Sequence, residues 1–327
     1  MLDPYSKILV TGGCGFIGSH LVAALSSLGK QVVVVDNLAT GASEAMPAGT
    51  TLARVDVRDP SQVREAVKDA ELVFHLAANA NGTVSINNPR LDFETNALGT
   101  FNVLEAALST GVNRFVYVSS ASVYGRPQRF PLDEEHPRKP FVPYGASKLT
   151  GELCCLSFLE AHRLPVVIAR PFCVYGPREN PQLALVEVTR YLRWHLNRKP
   201  IPIIGDPDRK TRDFVHVSDI VRGLLLIAEK AEPGEIFNLG SGQEVPMRKL
   251  TDIISSVTGR KAGVHEIRSV TDDTYRLVAD ISKIKSLGYS PKTSLVEGVR
   301  QLAEELGENP KLPSGTTIFK KGQEAEK

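Results

Sequence analysis

Lys7-Ile-Leu-Val-Thr-Gly-Gly-Cys-Gly-Phe-Ile-Gly18 joins a short apolar run to a group of glycines and then to a helical pattern. Ile8, Leu9 and Val10 have the length of a buried strand, and Phe16 to Leu28 carries apolar residues at helical spacing. Between them glycines stand at 12, 13, 15 and 18, which fits both G-x-x-G-x-x-G from Gly12 and G-x-G-x-x-G from Gly13. Strand, glycine turn and helix start make a phosphate-binding unit. Glycine permits the tight turn, the close approach of backbone to a pyrophosphate and the close packing of helix on strand. The N–H groups at the helix start, around Phe16 and Ile17, are then offered to an anion.

A second apolar run, Gln31-Val-Val-Val-Val35, ends in Asp36. A carboxylate about twenty residues past the glycines can accept the ribose hydroxyls of an adenosine. No Lys or Arg stands at 37 or 38 to neutralise a 2′-phosphate, so NAD is favoured over NADP.

The chain has 327 residues, enough for one large domain or two interlocked ones. Its 39 Lys and Arg nearly balance 37 Asp and Glu, and the net charge of +2 makes no case for nucleic acid or a membrane surface. The cysteines at 14, 154, 155 and 173 lack metal-ligand spacing and read as reduced thiols. There is no signal-peptide pattern and no apolar run of membrane-spanning length, so the expectation is a cytoplasmic protein without a metal.

Asn37 opens a loop of small residues that continues to Gly49, with room for one helical turn. Leu52 to Val57 reads as a third strand. Its end, Asp56-Val57, falls near the adenine in a dinucleotide fold, the alternative for Asp56 being a strand-end turn residue. Ser61 to Asp69 reads as a short helix capped by Asp59 or Ser61. Leu72-Val-Phe-His-Leu-Ala-Ala78 is a fourth strand running into a loop, and small residues there let the backbone at Leu76, Ala77 and Ala78 pass under a cofactor. His75 reads as a packed core histidine in preference to a catalytic base. Pro89 to Thr110 reads as one long helix with Asn96 in its first half. Arg114 to Val118 is a fifth strand that delivers Ser119 and Ser120, Tyr144 to Ala161 a helix, and Pro165 to Ala169 a sixth strand.

Six strands alternating with helices give an α/β fold, a Rossmann-type doubly wound parallel sheet with ligands at the carboxyl ends of its strands. Residues 1–170 form the NAD-binding domain, with 213–230 returning to it. Residues 171–308, rich in proline and glycine, form a smaller C-terminal mixed α/β substrate-binding cap, and 309–327 a polar tail. No internal repeats occur.

Tyr144-Gly-Ala-Ser-Lys148 sets Tyr and Lys four apart on one helix face. An ammonium beside a phenol favours phenolate and makes the tyrosine a usable general base. Ser120 is placed to hydrogen-bond the same substrate oxygen. A Tyr and Lys four apart are uninformative alone; their order after the glycine turn, Asp36 and a strand-end Ser-Ser is not.

Together with His75-Leu-Ala-Ala78, Ser119-Ser-Ala-Ser-Val-Tyr-Gly125, Arg170-Pro-Phe-Cys-Val-Tyr-Gly-Pro-Arg178, Arg212-Asp-Phe-Val-His-Val217 and Phe237-Asn-Leu-Gly-Ser-Gly242, these motifs resemble the extended short-chain dehydrogenase/reductases, within them the nucleotide-sugar epimerases typified by UDP-glucose 4-epimerase. The resemblance reaches to about residue 308. It implies that Tyr144 takes a proton from the sugar 4-hydroxyl, Ser120 shares that hydrogen bond, and Lys148 holds the nicotinamide ribose. NAD takes and returns the C4 hydride through a 4-keto sugar. It also implies NAD contacts from Gly12, Gly15, Phe16, Ile17, Gly18, Asp36, Asn37, Asp56, Val57, Leu76, Ala77, Ala78, Asn96 and Ser119, besides Tyr144 and Lys148. Arg212 contacts the substrate diphosphate in the family pattern. A homodimer forms through a four-helix bundle of the two long helices.

Ala121 and Ser122 stand where 4,6-dehydratases and uronate decarboxylases carry acidic residues, which favours simple epimerisation. Cys173 replaces an Asn that holds the diphosphate, and a thiol is a poor substitute for an amide donor. The usual Arg-Pro-Gly-Asp segment is replaced by Val270-Thr-Asp-Asp273, with Arg268 or Arg276 left to reach a phosphate. The leading expectation is a 4-epimerase of UDP-hexoses or their N-acetyl or uronic acid relatives. The alternatives are a 4,6-dehydratase or 4-ketoreductase and, from another class, a non-catalytic sensor of NAD or a nucleotide sugar.

Overall fold

The computed structural model describes residues 2–80, 82–181, 186–267 and 276–312. Six strands appear in the expected order: β1 (Lys7–Thr11), β2 (Gln31–Asp36), β3 (Thr51–Arg54), β4 (Leu72–His75), β5 (Arg114–Val118) and β6 (Val166–Pro171). A seventh, Ile236–Leu239, pairs with β6, so the sheet runs Ile236–Leu239, β6, β5, β4, β1, β2, β3, with every pairing parallel. Strand order reverses between β1 and β4. That is where a doubly wound sheet opens a crevice at its carboxyl edge.

The strands are apolar throughout because both faces are covered. Ile8, Val10, Val32, Val34 and Phe74 pack with Leu21 and Leu25 of the Phe16–Ser27 helix and Leu224 and Ile227 of the Val217–Lys230 helix. Leu9, Val35, Val73 and Phe115 pack on the other face with Val63, Val103 and Phe158. A third core, including Tyr191, Ile203, Phe214, Leu250 and Leu302, joins the Glu187–Leu196, Met247–Thr258 and Leu295–Leu306 helices. Three two-stranded pairings accompany it: Cys173–Tyr175 with Phe214–His216, Thr211–Arg212 with Val245–Pro246, and Ile201–Ile204 with Val264–Ile267.

Several element ends differ from expectation. β3 stops at Arg54 and β4 at His75. Pairing ends there because the chain turns toward the crevice, leaving Asp56-Val57 and Leu76 to Ala78 in loops. A short helix, Gly82–Asn87, follows. The segment expected as one helix from Pro89 to Thr110 is interrupted by a π-helical turn at Glu94–Leu98, between α-helices Pro89–Phe93 and Gly99–Thr110. Asp59 is the cap of the Pro60–Val67 helix, accepting from the Ser61 and Gln62 amides.

One fully buried ion pair ties β6 to the Pro143–His162 helix. Arg170 Nε and Nη2 donate to Glu152 at 2.8 and 2.7 Å, and its Nη1 donates to the Tyr124 hydroxyl and the Glu134 carbonyl. Removing one partner of a buried pair costs about 3–5 kcal/mol. Glu152→Ala should lower unfolding stability by that amount in urea melts; a loss below about 1 kcal/mol would mean that Arg170 finds water or another anion.

Candidate active site

The glycine turn rests directly on the loop after β4. Gly12 has φ +69°, and a Cβ there would sit 2.7 Å from the Ala77 nitrogen. A Cβ on Gly18 would collide with the Gly12 carbonyl oxygen. Gly15 is the N-cap of the Phe16–Ser27 helix and no side chain caps it, which leaves the first-turn N–H groups around Phe16 and Ile17 for an anion. The cradle thus fits a dinucleotide pyrophosphate. At the end of β2, Asp36 accepts from the Cys14 amide (3.0 Å) and the Leu38 amide (2.8 Å), which fixes its carboxylate beside the turn. Each oxygen keeps a lone pair for a ribose hydroxyl. Asp56 is gripped by Arg58 Nε and Nη2 at 2.9 and 2.7 Å and by Asn37 at 3.0 Å, and the Arg58 hydrogen bond, with further donors, holds its carboxyl well below the usual range. Val57 is buried, and its carbonyl accepts from Asn102.

His75 is a core residue, as expected, and its tautomer follows from its neighbours. The Thr100 hydroxyl donates to the Asn96 carbonyl (2.6 Å), so its oxygen accepts from His75 Nε2–H (2.9 Å). Nδ1 then accepts from the Thr11 hydroxyl (2.6 Å), whose oxygen takes the Leu76 and Ala77 amides. This chain fastens β1, β4 and the π turn beneath the crevice. Burial, with the charge of Lys148, brings the imidazole down to about 3.

Tyr144 and Lys148 lie in the first turns of the Pro143–His162 helix, and Ser120 caps the turn Ala121–Tyr124 after β5. Ser120 Oγ accepts from the Ser122 amide at 3.1 Å and donates to the Ser122 hydroxyl at 3.2 Å, and it acts on the Tyr144 phenol. Burial pushes the phenol up to about 12, the Ser120 hydrogen bond pulls it down, and Asp92 pushes it further up. Burial brings the Lys148 ammonium down to about 8, against Cys155, Glu152 and Asp92. Ser120 is thus the group that lowers the phenol, where the sequence led us to expect Lys148. The ammonium lies 4.6 Å from the centre of the Tyr117 ring.

Asn96 sits in the π turn, fully buried. Its Oδ1 accepts the Asn79 amide (2.7 Å), and its Nδ2 reaches Asp92 Oδ1 and Ser147 Oγ, each at 3.0 Å. It thus lies behind the catalytic helix. Ser119 is also buried, its hydroxyl donating to Glu152 at 2.6 Å, so only its backbone is left for a cofactor.

On the substrate side, Arg212 is buried, with Nε 3.6 Å from Glu187, and Lys210 and Arg190 approach the same carboxylate at 4.0 and 3.9 Å. Burial alone would raise the Glu187 carboxyl; Arg212, Lys210 and Arg190 overcome it and hold it down to about 2. Arg212, Lys210 and Arg190 thus gather around one carboxylate. Cys173 lies beside this group, its thiol pushed well up by burial and by Glu187. Arg276 is not free: its Nε and Nη2 donate to Glu244 at 2.8 and 2.9 Å, and its guanidinium lies 4.0 Å from the centre of the Phe130 ring. Arg268 and Val270 to Asp273 lie outside the described residues. Among the described residues no group of His, Cys, Asp or Glu could hold a metal, and no helix is long and apolar enough to cross a membrane.

The model of the NAD dependent epimerase/dehydratase family matches residues 8–240, which span the cradle, Ser120, Tyr144, Lys148 and Arg212. The chain belongs to that family. Among solved structures it is similar to the UDP-glucose 4-epimerase of Thermotoga maritima, determined with UDP-glucose (33% identity, 91% of this chain and 97% of that one, TM-score 0.87). It is also similar to the Thermus thermophilus UDP-glucose 4-epimerase in complex with NAD (34% identity, 91% and 98%, TM-score 0.85). A curated dTDP-glucose 4,6-dehydratase from an Actinoplanes species is 34% identical over 313 residues, 90% of this chain and 96% of its own length. NAD is the cofactor, and the enzyme is of the nucleotide-sugar epimerase type.

Because folded His75 takes a proton only near pH 3 and the unfolded residue near 6.5, the unfolded chain binds more protons in between. The stability this group contributes is complete above pH 6.5 and is lost as pH falls toward 3. Urea melts at pH 7 and pH 5 should show a smaller loss for His75→Asn than for wild type; equal losses would refute a buried neutral imidazole.

Proposed function

We propose that this protein is an NAD-dependent 4-epimerase of a UDP-sugar (a UDP-hexose, UDP-N-acetylhexosamine or UDP-uronic acid), acting through a transient 4-keto sugar. The carrying observation is that one sheet edge holds the glycine cradle, Ser120 with the Tyr144 phenol that it lowers, and Lys148. The Tyr144 oxygen takes the proton of the sugar 4-hydroxyl while Ser120 holds that oxygen. NAD held by the glycine cradle and Asp36 would supply the acceptor for the C4 hydride and its donor on return. Lys148 remains largely an ammonium at pH 7, and Ser120 is the group that lowers the phenol. Tyr144 then returns its proton, so the step is redox-neutral overall.

The nucleotide is read from the UDP-sugar names of the similar solved structures. Dehydration and decarboxylation need an acid beside the sugar ring beyond C4. The loop presents Ala121, which is buried, and Ser122, which hydrogen-bonds to Ser120. Neither exchanges protons at neutral pH, and an intact Ser120, Tyr144 and Lys148 set is more than a sensor requires.

The same reading includes a homodimer. Phe93, Leu98 and Phe101 are 55%, 43% and 40% exposed, and Leu153 on the adjoining Pro143–His162 helix is 54% exposed, an apolar face on two long helices. Sedimentation at micromolar concentration should give a dimer, and a monomer would refute the bundle.

With UDP-glucose, UDP-N-acetylglucosamine and UDP-glucuronate, at least one C4 epimer should form without net production of NADH. Tyr144→Phe should retain NAD and lose at least about 100-fold in kcat. No epimer from any of the three, or a near-normal rate in the variant, would overturn the assignment.

A further inference from the structure

Beneath the catalytic helix lies a carboxylate that neither the motifs nor the proposed chemistry uses. Asp92 is fully buried at the end of the helical turn preceding the π segment. Its Oδ1 accepts from Asn79 Nδ2 and Asn96 Nδ2, each at 3.0 Å, and its Oδ2 accepts from the Ser147 hydroxyl at 2.6 Å. Asn79 Nδ2 and Asn96 Nδ2 can only donate, and with Ser147 donating as well the ionised carboxylate is the form that accepts from all three, while burial pushes the carboxyl up against these donors. The three come from three elements: the loop after β4 that carries Leu76 to Ala78, the π turn, and the helix that carries Tyr144 and Lys148. Ser147 Oγ lies 3.0 Å from the Tyr144 carbonyl as well, so the bond to Asp92 reaches the turn that presents the phenol. The π turn widens the helix where Asn96 enters this cluster, a feature common at functional sites.

We infer that Asp92 is a positioning residue for the general base: it clamps Ser147, and with it the Tyr144 turn, to the loop that passes under the cofactor, and it is a fixed negative charge facing Tyr144 and Lys148. This rests on the reading of Tyr144 as the base. The groups facing that pair are Ser120 and Tyr117 from β5 and its loop, His75 from β4, Asp92 from the 89–98 segment, and Glu152 and Cys155 from the same helix. Among the charges, Asp92 opposes phenol ionisation, so its neutralisation moves the phenol downward.

The test compares wild type, Asp92→Asn and Ser147→Ala, each with retained NAD measured and thermal unfolding recorded, in the 4-epimerase assay across pH. Asp92→Asn should keep NAD and substrate KM within about threefold, lose about 10- to 100-fold in kcat, and shift the acid limb of kcat to lower pH. Ser147→Ala, which breaks the clamp and keeps the charge, should lose kcat with the limb in place. Unchanged kcat and pH profile in a folded Asp92→Asn enzyme overturns the inference. Should that variant not fold, an unchanged kcat in Ser147→Ala overturns it and a selective kcat loss supports it. Wild type with no 4-epimerase activity at all would fail the functional reading instead, and the two failures are distinct.

Discussion

Backbone at Gly12 and backbone at Ala77 run so close that no methyl group fits between them. That contact, where strand order reverses between β1 and β4, lets a pyrophosphate lie over the glycine turn while the rest of a dinucleotide extends along the sheet edge. Every catalytic group is measured from it. β5 sits one strand further along, and its carboxyl end and the start of the helix after it bring Ser120 and Tyr144 to the same opening. The Thr11, His75 and Thr100 chain keeps the crevice open by satisfying, with neutral groups, the backbone amides that β4 leaves behind when its pairing ends.

Two of the charged groups buried under this edge are carboxylates held by several donors. Glu152 with Arg170 locks the helix to β6; Asp92 with Asn79, Asn96 and Ser147 locks it to the crevice loop. Buried charge is tolerated only when paired or saturated with donors. The arrangement buys a fixed helix start, and that fixed start is what a proton transfer over one hydrogen-bond length requires.

The parts of the molecule legible in the sequence are those set by local pattern. Strand β1, the glycines, Asp36 and the Tyr144–Lys148 pair are contiguous or evenly spaced. The place of Ile236–Leu239 at the edge of the main sheet does not show in the sequence, since its partner, β6, is distant along the chain. Apolar spacing along 89–110 is reliable only in part: Val103, Leu104 and Ala107 are buried, but Phe93, Leu98 and Phe101 face outward, whereas the polar Asp92, Asn96 and Thr100, four apart, are fully buried. Hydrophobic periodicity is blind to a buried polar stripe, so neither the π turn nor the role of Asp92 showed through. Arg276 was legible as a cation near the substrate side, but its bidentate partner, Glu244, was not.

The central claim is that the Tyr144 phenol and a bound nicotinamide face one sugar carbon. A crystal structure of the protein with NAD and a UDP-sugar measures this directly. The account predicts the Tyr144 oxygen within about 2.6–3.2 Å of the sugar 4-oxygen, with the nicotinamide ring against the C4 hydrogen. A phenol turned away from the sugar, or a nicotinamide lying elsewhere than beside Lys148, would contradict it.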